Sequence, residues 1–240
     1  MKDTRLTFQR YEKKYLLTEE QLAQLMRELA PHIVHDEYGR STVCSVYYDT
    51  DDYELIRRSL DKPVYKEKLR LRSYGVPEPG GAVFVELKKK YRGVVYKRRL
   101  LTDARRAEGW LSGRLPPPED SQISREIDWF LRFYAPRPRA FIACDREAFV
   151  ARDDPELRFT FDRDLRWRDT ELSLTAGSWG RPLLDEGRVL LEIKMPGAAP
   201  LWLAELLGRL RAFPCSFSKY GTCWRTGLLR QYFNGVMEIA

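Results

Sequence analysis

The sequence predicts an α+β fold, an antiparallel eight-stranded β-tunnel (a closed barrel) with helices packed on the outside. Three observations carry that expectation. Several long stretches alternate charged and apolar residues, the period-two signature of strands with one polar and one apolar face. Most of these stretches are joined by short turn sequences, which favours hairpins and antiparallel pairing. Amphipathic segments with helix-capping residues are interspersed among them. A chain of 240 residues has the length of one large domain, and neither an internal repeat nor a linker divides it. A single domain over 1–240 is therefore expected.

The elements follow in order. Residues 6–17 read as a strand rich in aromatic and charged side chains. Thr18-Glu19-Glu20-Gln21 is a capping box opening a helix with Leu22, Leu25, Met26 and Leu29 on one face, and Pro31 ends it. Strands are expected near 32–38 and 42–49, then a short charged helix near 51–60. Residues 64–74 form a long strand, and the loop containing Pro77, Pro79, Gly80 and Gly81 leads to another at 82–90. Arg92-Gly93 turns the chain into 94–101. A helix near 103–112 and the loop Pro116-Pro117-Pro118 precede a helix with the stripe Ile123, Ile127, Phe130, Leu131 and Tyr134. Strands near 139–152 and 156–168 flank the turn Asp153-Asp154-Pro155. A last strand spans about 187–195. Pro200 marks the start of a helix with Leu203, Leu206, Leu207 and Leu210 on its buried side, and a final helical stretch covers about 218–233.

Composition removes several classes. At 43% hydrophobic the chain can build a real core, and no apolar run approaches the ~18–20 residues of a transmembrane helix. The start, Met1-Lys2-Asp3-Thr4-Arg5, lacks the apolar stretch of a signal peptide, so a soluble, cytoplasmic protein is expected. Cys44, Cys144, Cys215 and Cys223 show no zinc-like spacing and read as reduced, mostly buried thiols. His32 and His35 lack an evident third metal ligand. No P-loop, strand-borne GxGxxG or GxSxG elbow occurs. The net charge of +7 points to an anionic partner without naming it.

The location of that charge is more informative. Alternate residues of a strand share a face. Lys66, Lys68, Arg70 and Arg72 therefore point opposite Leu69 and Leu71, and Glu86, Lys88 and Lys90 point opposite Val83, Val85 and Leu87. Lys97 and Arg99 come from the hairpin partner. Arg158, Thr160, Asp162, Asp164, Arg166 and Arg168 oppose Phe159, Phe161, Leu165 and Trp167. Glu192 and Lys194 oppose Leu191 and Ile193, and Arg10, Glu12 and Lys14 share a face near the N-terminus. These faces hold 14 cations against 5 acids. Removing them from 42 basic and 35 acidic residues leaves 28 and 30, so the whole positive excess lies on the strand faces. Each single strand would be unexceptional as a solvated face. Together, like charges across strands repel, by about 4 kcal/mol per pair at ~4 Å and an effective dielectric near 20. Such a face is stable when open to water or filled by an anion, and a barrel of eight strands has room for one slender ligand. A cationic tunnel around a linear polyanion follows. Base-stacking aromatics mostly alternate away from the basic faces, so no nucleic acid is expected as partner.

Several motifs occur in order: Arg10-Tyr11-Glu12-Lys13-Lys14-Tyr15, Leu69-Arg70-Leu71-Arg72-Ser73-Tyr74-Gly75, Val85-Glu86-Leu87-Lys88 and Lys97-Arg98-Arg99. Asp145-Arg146-Glu147-Ala148-Phe149, Arg158-Phe159-Thr160-Phe161-Asp162, Leu191-Glu192-Ile193-Lys194 and Phe217-Ser218-Lys219-Tyr220 follow. Each is weak alone. In register, over roughly residues 5–230, they resemble the VTC domain, the polyphosphate polymerase module of the vacuolar transporter chaperone family within the triphosphate tunnel metalloenzymes.

The resemblance implies transfer of the ATP γ-phosphoryl group onto a growing polyphosphate chain, with Mn²⁺ or Mg²⁺ as cofactor and ATP and polyphosphate as partners. It implies catalytic contacts from Lys194, Lys219 and Arg146. Substrate phosphates would be held by Arg10, Lys14, Arg70, Arg72, Lys88, Lys97, Arg99 and Arg158, and the metal by Glu192. Hydrolytic relatives carry ExExK on the first strand, where Arg10 replaces the first Glu here; this favours the polymerase branch over a tunnel triphosphatase. A non-catalytic polyphosphate-binding module is the third reading. With no membrane segment of its own expected, any coupling to transport would need a membrane partner protein. Phosphoryl transfer mainly demands alignment and charge neutralisation, which Arg forks and mobile Lys charges supply.

Overall fold

A computed structural model describes residues 11–92 and 94–237, with side chains described as far as residue 233. Arg10 lies outside the described residues, as does the start of the first expected strand. The fold is α+β, and its strands form one antiparallel sheet in the order β1-β9-β7-β6-β2-β3-β4-β5, with β8 paired to β7. These strands are β1 (Tyr11–Thr18), β2 (Ile33–Asp49), β3 (Tyr65–Tyr74), β4 (Ala82–Tyr91) and β5 (Val94–Asp103). They continue with β6 (Arg137–Ala151), β7 (Arg158–Arg168), β8 (Arg181–Pro182) and β9 (Arg188–Met195). The two-residue β8 is the addition to the eight expected.

The chain clusters into two compact units. One comprises the residues up to Ser41, Asp145–Asp164 and Leu184–Phe217; the other comprises Thr42–Cys144, Leu165–Leu183 and the chain from Ser218 on. In the first, α1 (Glu19–Leu29) starts with the expected capping box: the Gln21 N–H donates to Thr18 Oγ1 (3.1 Å), and the Thr18 N–H donates to Gln21 Oε1 (3.0 Å). Its leucines join Phe159, Phe161, Leu191 and Ile193 in the core, with Leu203, Leu206 and Leu207 of α5 (Leu201–Arg209). Each of these fully buried side chains contributes roughly 1.5–3 kcal/mol.

In the second unit, β3 and β4 put Leu69, Leu71, Val83, Val85 and Leu87 into a separate core. The helices α3 (Ala104–Leu111) and α4 (Gln122–Tyr134) cover it, with Trp110, Ile127 and Phe130 buried. The expected strands 32–38 and 42–49 are one strand. Gly39 adopts a left-handed φ of +52°, and the Asp36 carboxylate accepts the N–H groups of Tyr38 and Gly39, so the chain kinks without leaving the sheet. The short α2 (Glu54–Leu60) follows β2. The last helical stretch is segmented: α6 (Lys219–Cys223), a π-helical turn over Trp224–Leu228, and α7 (Leu229–Met237). Gly227 sits in that turn because a Cβ there would lie 2.1 Å from the Trp167 ring. All four cysteines are free thiols, three of them buried and Cys215 partly exposed.

The face expected along β7 does not extend to its end. Arg168 is buried, 2% exposed, and its guanidinium donates to the carbonyls of Glu171, Ser173, Gly177 and Trp179 while stacking 3.6 Å from the Phe141 ring centroid. Arg166 likewise donates to the Ser178 carbonyl. Both bind the loop after β7, because five fixed donors suit a loop whose carbonyls have no strand partner. Neither belongs among ligand-facing cations.

Candidate functional site

The expected site residues fall in two groups of polar side chains, one in each unit. In the second unit, the register places Tyr47, Arg70, Glu86 and Arg99 abreast across β2, β3, β4 and β5. Next to this row, Lys68, Lys88 and Lys97 stand abreast with no acid among them. Arg72 lies opposite Ser45 and donates to its hydroxyl (3.3 Å).

Glu86 organises the group. It is 1% exposed, and one oxygen accepts from Arg70 (Nε 2.7 Å, Nη2 2.6 Å) while the other meets Arg99 (2.6 Å) and Lys97 (2.7 Å). Arg72 approaches to 3.9 Å. Burial alone would raise the Glu86 carboxyl. Arg70, Arg72 and Lys97 outweigh it and hold the group well below the usual carboxylate range. One anion thus gathers four cations. For Lys97, burial outweighs the pull of Glu86 and depresses the ammonium below its ordinary value. An added phosphate would relieve both effects.

Tyr47 was not singled out by the sequence. Its hydroxyl accepts from Arg70 (3.3 Å), and its ring stacks on Tyr220 at 4.8 Å. Burial would raise the Tyr47 phenol, but Arg70, Arg72 and Lys219 together hold it below its ordinary value. Lys219 is the first residue of α6, whose N-cap Ser218 accepts from the Gly221 N–H (3.2 Å) and lies 3.3 Å from Lys68 Nζ. The next residue, Tyr220, donates to the buried Asp49 carboxylate (2.9 Å). Asp49 also accepts the N–H groups of Thr50, Leu55 and Ile56. This bond ties the start of α6 to β2 and so sets the position of Lys219.

In the first unit, Lys14 on β1 lies opposite Glu192 on β9, and Glu192 lies opposite Thr160 on β7. Lys14 Nζ reaches Glu192 (3.4 Å), Glu12 (3.2 Å) and the Phe217 carbonyl (3.1 Å). Arg146 grips Asp162 bidentately (2.6 and 2.7 Å) and comes within 3.8 Å of the second Glu192 oxygen. Asp162, completely buried, holds the Arg146 fork in place. Lys194 is opposite both Glu12 and Arg158 in the ladder. Arg158 itself is exposed and donates to the Pro155 carbonyl (3.3 Å). It is therefore not drawn into the Lys14–Glu192–Arg146 group.

No cluster of three His, Cys, Asp or Glu suited to a metal occurs among the described residues. One observation nevertheless fits a hard cation. Thr160 Oγ1, on the residue paired with Glu192 in the ladder, is buried without a hydrogen-bond partner among the described residues. A carboxylate and an orphaned hydroxyl are oxygen donors suited to Mg²⁺ or Mn²⁺, which commonly keep most of their shell for water and phosphate oxygens. Glu192 and Thr160 are the residues that would hold the ion.

Comparison with known proteins bears on the family and the fold. The VTC domain family matches residues 9–226. Vacuolar transporter chaperone complex subunit 4 of Trypanosoma cruzi is 24% identical over 66% of this chain and 25% of its own length. The chain thus spans about a quarter of that curated relative. A solved structure of a candidate adenylate cyclase from Bacillus halodurans superposes with a TM-score of 0.51 at 15% identity, covering 86% of this chain and 92% of that one, and so shares the fold. With the family match extending over nearly the whole chain, the protein belongs to the VTC domain family.

Proposed function

We propose that the protein is a metal-dependent polyphosphate polymerase, transferring the γ-phosphoryl group of ATP to the end of a polyphosphate chain. The observation that carries this reading is the gathering of Arg70, Arg72, Lys97 and Arg99 around Glu86, next to Lys68 and Lys88 abreast in the ladder. Abreast like charges destabilise a sheet, and a linear polyanion is the ligand that would offset them along several consecutive positions. Membership of the VTC domain family supports the same chemistry.

Arg70, Arg72 and Arg99 would hold phosphate oxygens in fixed orientation, while Lys88, Lys97 and Lys219 would supply movable charge. Arg146, kept rigid by Asp162, would meet the developing charge on the transferred group, with Lys14 and Lys194 beside it. Arg158, exposed on β7, would contact chain phosphates. A divalent ion at Glu192 and Thr160 would add neutralisation of phosphate oxygens. The acceptor, a terminal phosphate oxygen, is already ionised at neutral pH and needs no general base.

The test is incubation with ATP and Mn²⁺ or Mg²⁺, followed by gel separation of products. Chains lengthening as ADP accumulates support the reading. Phosphate release without chain growth would make the protein a tunnel triphosphatase. Polyphosphate binding without ATP turnover would leave a binding module. No helix among the described residues is long and apolar enough to cross a membrane.

A further inference from the structure

The β4–β5 hairpin ends in an apolar tip that phosphate chemistry does not explain. Val64, Tyr65, Tyr91, Val94, Val95 and Tyr96 are all exposed, Val64 at 63% and Val94 at 48%. The ladder makes them neighbours: Tyr65 lies opposite Tyr91, and Tyr91 opposite Val94, while Val95 and Tyr96 face Lys90 and Lys89. Isolated exposed apolar residues are ordinary, whereas these six gather at one end of three adjoining strands, on both faces of the hairpin.

The hairpin itself carries charge of a single sign, with Glu67, Glu126 and Asp61 as the acids nearby. Residues 87–102 contain seven cations and no acid. Lys89 and Arg98 pair with Glu126 and Lys97 pairs with Glu86, but Lys90 and Arg92 are exposed at the tip, with Lys62 close by in sequence to Val64. The Arg92 guanidinium lies 5.3 Å from the Tyr91 ring centroid, the amphipathic pairing of a side chain that keeps its charge at a polar boundary.

We propose that this tip seats on the surface of an anionic lipid bilayer. The valines and tyrosine rings would enter the boundary between headgroups and acyl chains, and Lys62, Lys90 and Arg92 would meet lipid phosphates. A phosphate polymer accounts for the cations but not for the valines. A protein partner accounts for the valines but has to supply acids matched to the whole rim. A bilayer offers phosphate groups and hydrocarbon at one surface, and so accounts for the cations and the valines together.

The experiment is flotation of the full chain with vesicles of phosphatidylcholine alone or mixed with phosphatidylserine. The protein should float with the mixed vesicles only. Lys90→Gln with Arg92→Gln should weaken that binding by about 25-fold, roughly fivefold per cation lost. Val94→Asn with Val95→Asn should weaken it by about tenfold or more, from the loss of buried apolar area. The valine variant should keep its circular dichroism and its polyphosphate binding, since both positions are exposed and outside the phosphate group. Four results would overturn the proposal. These are absence of flotation, equal flotation with neutral vesicles, unchanged flotation of the valine variant, or a vesicle-independent dimer that the valine variant loses in sedimentation. The last would make the tip an interface between copies of this chain.

Discussion

Replacing Glu86 with Gln removes the one negative charge that four cations share. Contacts of 2.6–2.7 Å to Arg70, Lys97 and Arg99 are each worth about 6 kcal/mol gross at an effective dielectric near 20, before desolvation is subtracted. Breaking a buried pair from one side costs roughly 3–5 kcal/mol net. Here the lower end applies, because the Lys97 and Arg99 side chains are 43% and 35% exposed and partly screened. We expect Glu86→Gln to lose about 3 kcal/mol in urea denaturation without ligand. Saturating tripolyphosphate should then restore at least about 1.4 kcal/mol of that loss, the equivalent of tenfold tighter binding to the more cationic variant. The pH dependence has a definite sign. The Glu86 carboxyl is depressed in the folded state, so its contribution is complete above its ordinary value of 4.5 and disappears as pH falls below that towards the depressed value. The gap between wild type and variant should hold at neutral pH and narrow in acid. An equal loss with and without tripolyphosphate, or a loss under about 0.5 kcal/mol, would refute the idea that this cluster is built to receive a polyanion.

Arg70→Ala and Lys219→Ala should each reduce ATP turnover by roughly 100-fold or more, the scale for one lost charge-stabilising donor, while keeping a folded circular dichroism spectrum; wild-type rates at saturating ATP and metal would remove both from the site. Glu192→Gln should shift the metal concentration needed for half-maximal rate more than the ATP requirement, and an unchanged metal titration would count against Glu192 as ligand. The Tyr47 phenol, held below its ordinary value by Arg70, Arg72 and Lys219, should titrate at higher pH once tripolyphosphate neutralises those cations. Ultraviolet titration of wild type against Tyr47→Phe reads this directly, and a ligand-insensitive phenol would place the anion elsewhere. Gly227→Ala should cost about 1–3 kcal/mol by overpacking against Trp167, and an unchanged denaturation midpoint would contradict the contact.

Much of the fold was legible because β3, β4 and β9 alternate over most of their length, with Glu67, Lys89 and Leu190 among the exceptions. One face is apolar and the other charged, so period two is visible in the letters, and the cations on these faces follow without any structure. The second half of β2 hides its parity. Val43 to Asp49 are all buried, so Ser45, Tyr47 and Asp49 look like part of a continuous core run although Ser45 and Tyr47 pair with Arg72 and Arg70. Glu86 was visible as a face acid, but its role depends on the register that sets Arg70 on one side and Arg99 on the other. Hairpin proximity suggested that pairing without fixing it to the residue. Arg168 misleads for a different reason. Its partners are backbone carbonyls of the loop 169–180, and carbonyls leave no trace in side-chain patterning. The Asp162 clamp on Arg146 depends on how the neighbouring strands β6 and β7 are matched, and the Asp49 link to Tyr220 joins positions 171 residues apart, so no local signal marks either.

The central claim is that these cationic strand faces hand a phosphoryl group to polyphosphate rather than to water. Single-turnover reaction with γ-labelled ATP, a short polyphosphate primer and Mn²⁺ tests it most directly. The account predicts that label appears in the primer, lengthened by one phosphate, in equal amount to the ADP formed, and that Arg70→Ala suppresses both together. Label recovered as free phosphate, with the primer unchanged, would contradict it.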